Sequence, residues 1–284
     1  MKNFIIEKIK NFVIEDDFNK HDFSNGIGFE EPLIHVASSN NLIFEEYKTI
    51  IGEFHLSPKE IFEMEFGKNS LKSGSVISVS LPISEYIVKS NRKQQNIPSK
   101  EWTLLRSYGQ EYQVAEYLSK ILNEKGYKTI IPAISKYFKI ITKDENIVSN
   151  WSERHIAYAT GLGTFSLNQG FITEKGISNR LVSLVTDLNL KEDLRTFKHH
   201  NENCLYFFNG KCKACKKRCP INAISKKGID KYLCREQLYG EKSIKIAISR
   251  GANQESGSGC GLCQTNVPCE RKNPTTELKL KNLI

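Results

Sequence analysis

The sequence predicts an α+β protein in two parts: an α/β sandwich domain over residues 1–195 and a small cysteine-rich domain over residues 196–284. Three observations set this division. Strand-like and helix-like patterns are mixed as far as about residue 190. A polar, charged stretch from Lys191 to Asn203 reads as a linker. All eight cysteines follow it, at Cys204, Cys212, Cys215, Cys219, Cys234, Cys260, Cys263 and Cys269.

The elements can be justified in order. Residues 2–14 and 41–52 have helical patterning. Ser75 to Ile83 reads as a strand, with Val76, Ile77, Val79 and Leu81 running to a proline step. Trp102 to Tyr127 places Leu105, Tyr108, Tyr112, Ala115, Leu118 and Leu122 at spacings of three and four, one face of an amphipathic helix that Gly126 stops. Thr129 to Ile134 reads as another strand, 151–160 as a helix, and Arg180 to Leu188 as a buried strand through Leu181, Val182, Leu184 and Val185. The cysteine-rich remainder is too small and too poor in aliphatic residues for a conventional core, so bound clusters are expected to act as its core.

A chain of 284 residues can bury one good-sized core and carry a small second domain. It has no apolar run near eighteen residues, which excludes a membrane-spanning helix. Met1 to Phe12 carries Lys2, Glu7, Lys8 and Lys10 and does not resemble a secretory leader, so the expectation is a cytoplasmic protein with reduced thiols. The balance of 41 basic against 32 acidic residues gives +9. Lys211, Lys213, Lys216, Lys217 and Arg218 surround one cysteine motif, with Lys226 and Lys227 just beyond. Such a patch suits an acidic electron donor such as a ferredoxin or flavodoxin, or an RNA backbone; a solvated lysine-rich face is the plain alternative.

Eight cysteines are the ligand count of two 4Fe-4S clusters, and Cys212-x2-Cys215-x3-Cys219-Pro220 matches the tail of the bacterial ferredoxin run, whose last cysteine ligates the other cluster. If that cross-over holds, one cluster takes Cys204, Cys212, Cys215 and Cys269, and the other Cys219, Cys234, Cys260 and Cys263. Asn209 stands three before Cys212, so Cys204 must reach in from farther away, and five residues separate Cys263 from Cys269. Two structural zinc sites are the alternative, because C-x2-C pairs also build zinc ribbons, although the x3-Cys-Pro tail is not a zinc pattern. A chain with two such clusters moves electrons.

Between the two parts lies Asn150-Trp-Ser-Glu-Arg-His-Ile-Ala-Tyr-Ala-Thr-Gly-Leu-Gly-Thr-Phe-Ser-Leu-Asn-Gln-Gly170, followed by Arg180-Leu-Val-Ser-Leu-Val-Thr-Asp187. Ser152 or Asn150 can cap a helix here, and Gly161 and Gly163 permit a tight bend or the approach of a flat ligand. A helix with Glu-Arg, then Ala-Thr-Gly-Leu-Gly, then a strand ending Val-Thr-Asp, then paired cluster motifs resembles the cobalamin-dependent epoxyqueuosine reductases and the related reductive dehalogenases. Ser75 to Pro82 and the Tyr108-Gly-Gln-Glu111 segment extend the resemblance over about residues 70–270.

The resemblance implies a nitroreductase-like α/β domain holding a corrinoid (cobalamin), with a ferredoxin-like domain passing electrons to its cobalt. By position it places the corrinoid against Gly161, Leu162, Gly163, Thr164 and Phe165 and the strand bearing Arg180 and Ser183. Among the residues themselves, His155 could supply a proton near neutral pH, ligate cobalt, or be an ordinary hydrogen-bonded helix histidine; Tyr158 and Glu153 are further proton sources, and Arg154 suits an ion pair with a buried carboxylate or a phosphate. The substrate would be a small molecule, the corrinoid itself, or tRNA. The sequence departs from the queuosine enzymes at their acidic proton donor: ungapped counting puts Ile147 there, with Asp144 and Glu145 just upstream. A corrinoid-free electron-transfer protein with a flavin- or partner-binding first domain is the reading from another class.

Overall fold

A computed structural model describes residues 1–143 and 146–281. Asp144 and Glu145 lie outside the described residues. The centre is a four-stranded antiparallel sheet. Its members are Leu33–Ser38 (β1), Ser75–Pro82 (β2), Thr129–Ile130 (β3) and, after two hairpins, Asn179–Thr186 (β8), in the order β1-β2-β8-β3. The hairpins pair Ile140–Lys143 (β4) with Asn146–Ser149 (β5), and Gly163–Phe165 (β6) with Phe171–Thr173 (β7).

Helices cover both faces, which is why every residue of β2 is buried. Alternation along the strands sorts the side chains. Ile77, Val79, Leu81, Val182 and Leu184 pack beneath Lys2–Glu15 (α1), Glu85–Arg92 (α4), Lys100–Ser107 (α5) and Glu111–Asn123 (α6). Val76 and Val185 meet Ile43–Ile50 (α2), Pro58–Phe66 (α3) and Glu153–Ala159 (α7), with Trp151 wedged among them. Each fully buried aliphatic side chain contributes roughly 1.5–3 kcal/mol, so these two layers hold the sandwich. Small residues, Ser78, Ser80 and Ser183, occupy the sheet positions that alternate with the first set.

Three expectations are corrected. The single helix over 102–127 is two, α5 and α6, broken at Tyr108-Gly109-Gln110, where Gly109 has φ +58°. Tyr108 is thereby exposed and stacks on His21 and Phe23 instead of entering the core. The strand expected over Thr129 to Ile134 ends at Ile130, because Pro132 opens a 3-10 turn. The stretch Lys191 to Asn203 is not a free linker: Asp193 and Val36 exchange two hydrogen bonds of 2.8 Å, and Lys2 pairs with Asp193 at 2.6 Å. Farther along, His200 accepts from the Phe165 N–H at 2.7 Å.

The cysteine-rich part is interlocked with the sandwich. Its short helices Leu205–Asn209 (α8) and Ala214–Arg218 (α9) carry the first motif, and Lys231–Tyr239 (α10) and Glu241–Ser249 (α11) follow. Its small core joins Cys204, Ile224 and Val267 to Leu167, Ile172 and Ile177 from the β6–β7 region, with Cys215, Cys219, Cys263 and Cys269 packed against them. The sandwich thus supplies apolar surface that the cysteine-rich segment lacks. Trp102 Nε1 donates to the Gly259 carbonyl at 2.7 Å, Cys269 and Glu270 carbonyls accept from Ile177 and Ser178, and Arg271 grips Glu30 with two bonds.

Candidate active site

The thiols gather in two quartets. Burial, then Cys204 and Cys212, push the Cys215 thiol up to about 12, and burial with the same neighbours and Cys215 raises Cys269. Burial, then Cys260 and Cys219, push Cys234 up to about 11; burial and then Cys260 raise Cys263. Cys215 also acts on Cys263, so the quartets stand side by side. Among the described residues no three His, Cys, Asp or Glu side chains converge tightly enough to hold one metal ion. Cys204, Cys212, Cys215 and Cys269 surround a void of about 20 Å³.

Cys219, Cys234, Cys260 and Cys263 instead border a cavity of about 580 Å³ between the sheet, α7 and α10. Polar residues line it as well: Arg106, Glu111, Tyr112, Glu153, Arg154 and Arg180. Glu111 Oε2, both Glu153 carboxylate oxygens, Arg180 Nε and Gln264 Oε1 are buried without a hydrogen-bond partner, which is costly unless a ligand supplies one. Burial pushes the Glu153 carboxyl up to about 8, against the damping effect of nearby Ser183 and Trp151, whose indole N–H donates to Ser183 Oγ at 3.1 Å. Glu153 is therefore protonated at neutral pH. Burial and then Arg106 push Arg180 down to about 10, partly offset by Glu111. Arg154 has no carboxylate partner among the described residues; it donates to the Gln169 carbonyl, contrary to the buried ion pair expected for it.

A second cavity of about 900 Å³ lies on the other side of Ile147, Ser149, Ser152, Arg154, Gln169 and Lys231, all of which line both. His155, Tyr158 and Phe165 face this one, together with Tyr47, Arg195 and His200. Ser152 begins α7, but its hydroxyl pairs with His155 Nδ1 at 2.8 Å instead of capping the helix, while Asn150 binds the backbone of Tyr137 and Lys139. Burial, then Arg154, push His155 down to about 3, so it is neutral at pH 7. Arg195 covers the Tyr158 ring at 5.0 Å.

The residues singled out from sequence are thus divided. Glu153 and Arg180 border the cavity beside the second quartet; His155, Tyr158 and Phe165 border the other. Gly161, Leu162, Gly163 and Thr164 line neither. Their conformations serve the fold: a Cβ on Gly161, at φ +80°, would meet Leu194 and Arg195 backbone, and one on Gly163 would strike the Ile172 carbonyl. Thr164 Oγ1 accepts from the Asn203 N–H at 2.9 Å. Ser183 Oγ accepts from the Trp151 indole N–H. Ile147 faces both cavities. Arg106 and Gln264 were not singled out; Tyr112 was read only as part of a helix face, and Glu111 only as part of the Tyr108-Gly-Gln-Glu111 segment that carries the resemblance. Lys211, Lys213, Lys216 and Lys217 are exposed, whereas Arg218 turns inward to the carbonyls of Thr265 at 3.1 Å and Gln94 at 2.7 Å.

No family model matches the chain, and no curated protein does. Solved structures do. An epoxyqueuosine reductase from Bacillus subtilis superposes with a TM-score of 0.51 at 16% identity, covering 95% of this chain and 65% of that one. An epoxyqueuosine reductase with a modified tRNA-Tyr stem loop gives 0.52 at 16%, with the same coverages. The chain shares the fold of the epoxyqueuosine reductases. A catabolic reductive dehalogenase in complex with 3-bromo-4-hydroxybenzoic acid superposes at 0.55 and 14% identity over 98% of this chain and 38% of that one. The resemblance drawn from the motifs is matched at the level of fold. The chain spans about 65% of the length of the reductases it superposes on. Among the described residues no helix is long and apolar enough to cross a membrane.

Proposed function

We propose that this chain is an iron–sulfur oxidoreductase that carries electrons through two 4Fe-4S clusters to a corrinoid in the 580 Å³ cavity, reducing a substrate there or the corrinoid itself. In this reading residues 1–195 are a nitroreductase-like corrinoid-binding domain and residues 196–284 a ferredoxin-like domain, and the protein is cytoplasmic. The observation that carries it is that four cysteines of one quartet border the same hollow as the unpartnered polar atoms of Glu111, Glu153, Arg180 and Gln264. A corrinoid is rimmed with amides that both donate and accept hydrogen bonds, and these atoms offer both kinds of partner.

When bound, the corrinoid supplies a strongly reducing metal centre. The chain does the rest. Cys204, Cys212, Cys215 and Cys269 hold the entry cluster beneath exposed Lys211, Lys213, Lys216 and Lys217, which suit an acidic ferredoxin or flavodoxin. Cys219, Cys234, Cys260 and Cys263 hold the cluster that faces the cavity. Glu153 keeps a proton there at neutral pH, and Ile147 closes the wall with an apolar side chain where the queuosine enzymes carry their acid. A tRNA substrate is the second reading, favoured by Arg195, Lys226, Lys227 and Lys231 around the neighbouring cavity.

Anaerobic reconstitution with iron, sulfide and cobalamin tests the proposal. A corrinoid spectrum that survives desalting is expected; intact clusters with no bound corrinoid would discard the reading, and a flavin spectrum would favour a corrinoid-free electron carrier. Turnover of epoxyqueuosine tRNA by the loaded protein would select the second reading.

A further inference from the structure

Two arginines that line the 580 Å³ cavity lack a carboxylate partner: among the described residues neither Arg106 nor Arg180 makes an ion pair. Arg106 and Arg180 are enclosed by protein except where they face the cavity. The Arg106 stem runs across Gly259, where any Cβ would strike it, and its guanidinium donates to Tyr239 Oη at 2.8 Å. Arg180 lies over the Trp102 ring at 5.9 Å with its Nε buried and unpartnered.

The two guanidinium groups act on each other, and Glu111 is the carboxylate that offsets both of them. Two cations share one carboxylate. Guanidinium forks pair best with planar or tetrahedral oxyanions.

We propose that Arg106 and Arg180 form an oxyanion subsite for a phosphate or carboxylate of the ligand that lies against Cys219, Cys234, Cys260 and Cys263. The subsite deepens the function proposed above by naming the chemistry of one end of that ligand. It does not depend on the ligand being a corrinoid. The oxyanion has two sources, the phosphodiester of cobalamin itself or an acidic group on a separate substrate.

The test is calorimetric titration of the cluster-containing protein with inorganic phosphate, alone and with saturating cobalamin. Wild-type protein is expected to bind phosphate saturably. Arg180→Gln should weaken it by about tenfold or more, and Glu111→Gln, which removes the competing carboxylate, should tighten it several-fold. The second variant keeps the test decisive where the first fails to fold. Phosphate that still binds with cobalamin present assigns the subsite to a second ligand. Phosphate displaced by cobalamin but not by cobinamide, which lacks the phosphodiester, assigns it to the corrinoid tail. Phosphate binding without corrinoid binding sustains the subsite and removes the corrinoid. Absence of saturable binding in wild type, or equal affinity in wild type, Arg180→Gln and Glu111→Gln, overturns it.

Discussion

Cys234→Ser is expected to remove about four irons per chain and leave about four, because the two quartets are separate cages. The loss should also be structural. Cys234 sits on α10, a helix with no fully buried residue, fixed at its start by the Asp230 side chain capping the Leu233 N–H at 2.9 Å. Without a cluster to clamp it, little apolar contact retains α10, and limited proteolysis should cut between Lys231 and Ser249 first. Cys212→Ser should empty the other cage and spare this segment. Iron counting and the proteolysis pattern read both effects; equal loss from both cages in either variant would show that the partition is wrong.

Folding stability is expected to peak near pH 6.5. Burial depresses His55 to about 4 and His155 to about 3 from an ordinary 6.5. The unfolded chain therefore binds protons that the native protein refuses, and stability falls as pH drops below 6.5. Glu153 works in the opposite sense. Its folded value near 8 lies above the ordinary 4.5, so its contribution is full below pH 4.5 and is lost as pH rises toward 8. Between pH 4.5 and 6.5 two histidines outweigh one glutamate; above 6.5 only the glutamate acts, and about 2 kcal/mol should disappear by pH 8. Urea titrations across this range test the shape. Glu153→Gln should flatten the alkaline limb and leave the acid limb in place, whereas an unchanged alkaline limb would contradict the buried, protonated carboxyl.

What the sequence revealed depended on how local the cause is. The C-x2-C pairs were legible because their spacing is a property of short segments. The strands around Val76 to Leu81 and Leu181 to Val185 were legible because a strand covered on both faces is apolar along its length. The break between α5 and α6 was not, because the three-and-four spacing continues through Tyr108 and conceals Gly109. The strand Leu33–Ser38 is short and mixed, and only its pairing with Ser75–Pro82 makes it part of the sheet. Gly161 and Gly163 were legible as a tight bend, but the backbone of residues 172, 194 and 195 that would meet a Cβ there is a set of contacts no local pattern encodes. The arginine pair was invisible for the same reason: Arg106 and Arg180 come from α5 and β8 and meet only when the sandwich closes.

Protein isolated without oxygen and analysed for iron, sulfide and zinc bears most directly on the claim that these thiolates hold two cubane clusters feeding the cavity. About eight irons and about eight acid-labile sulfides per chain are the predicted result. About two zinc ions per chain with no sulfide would contradict it.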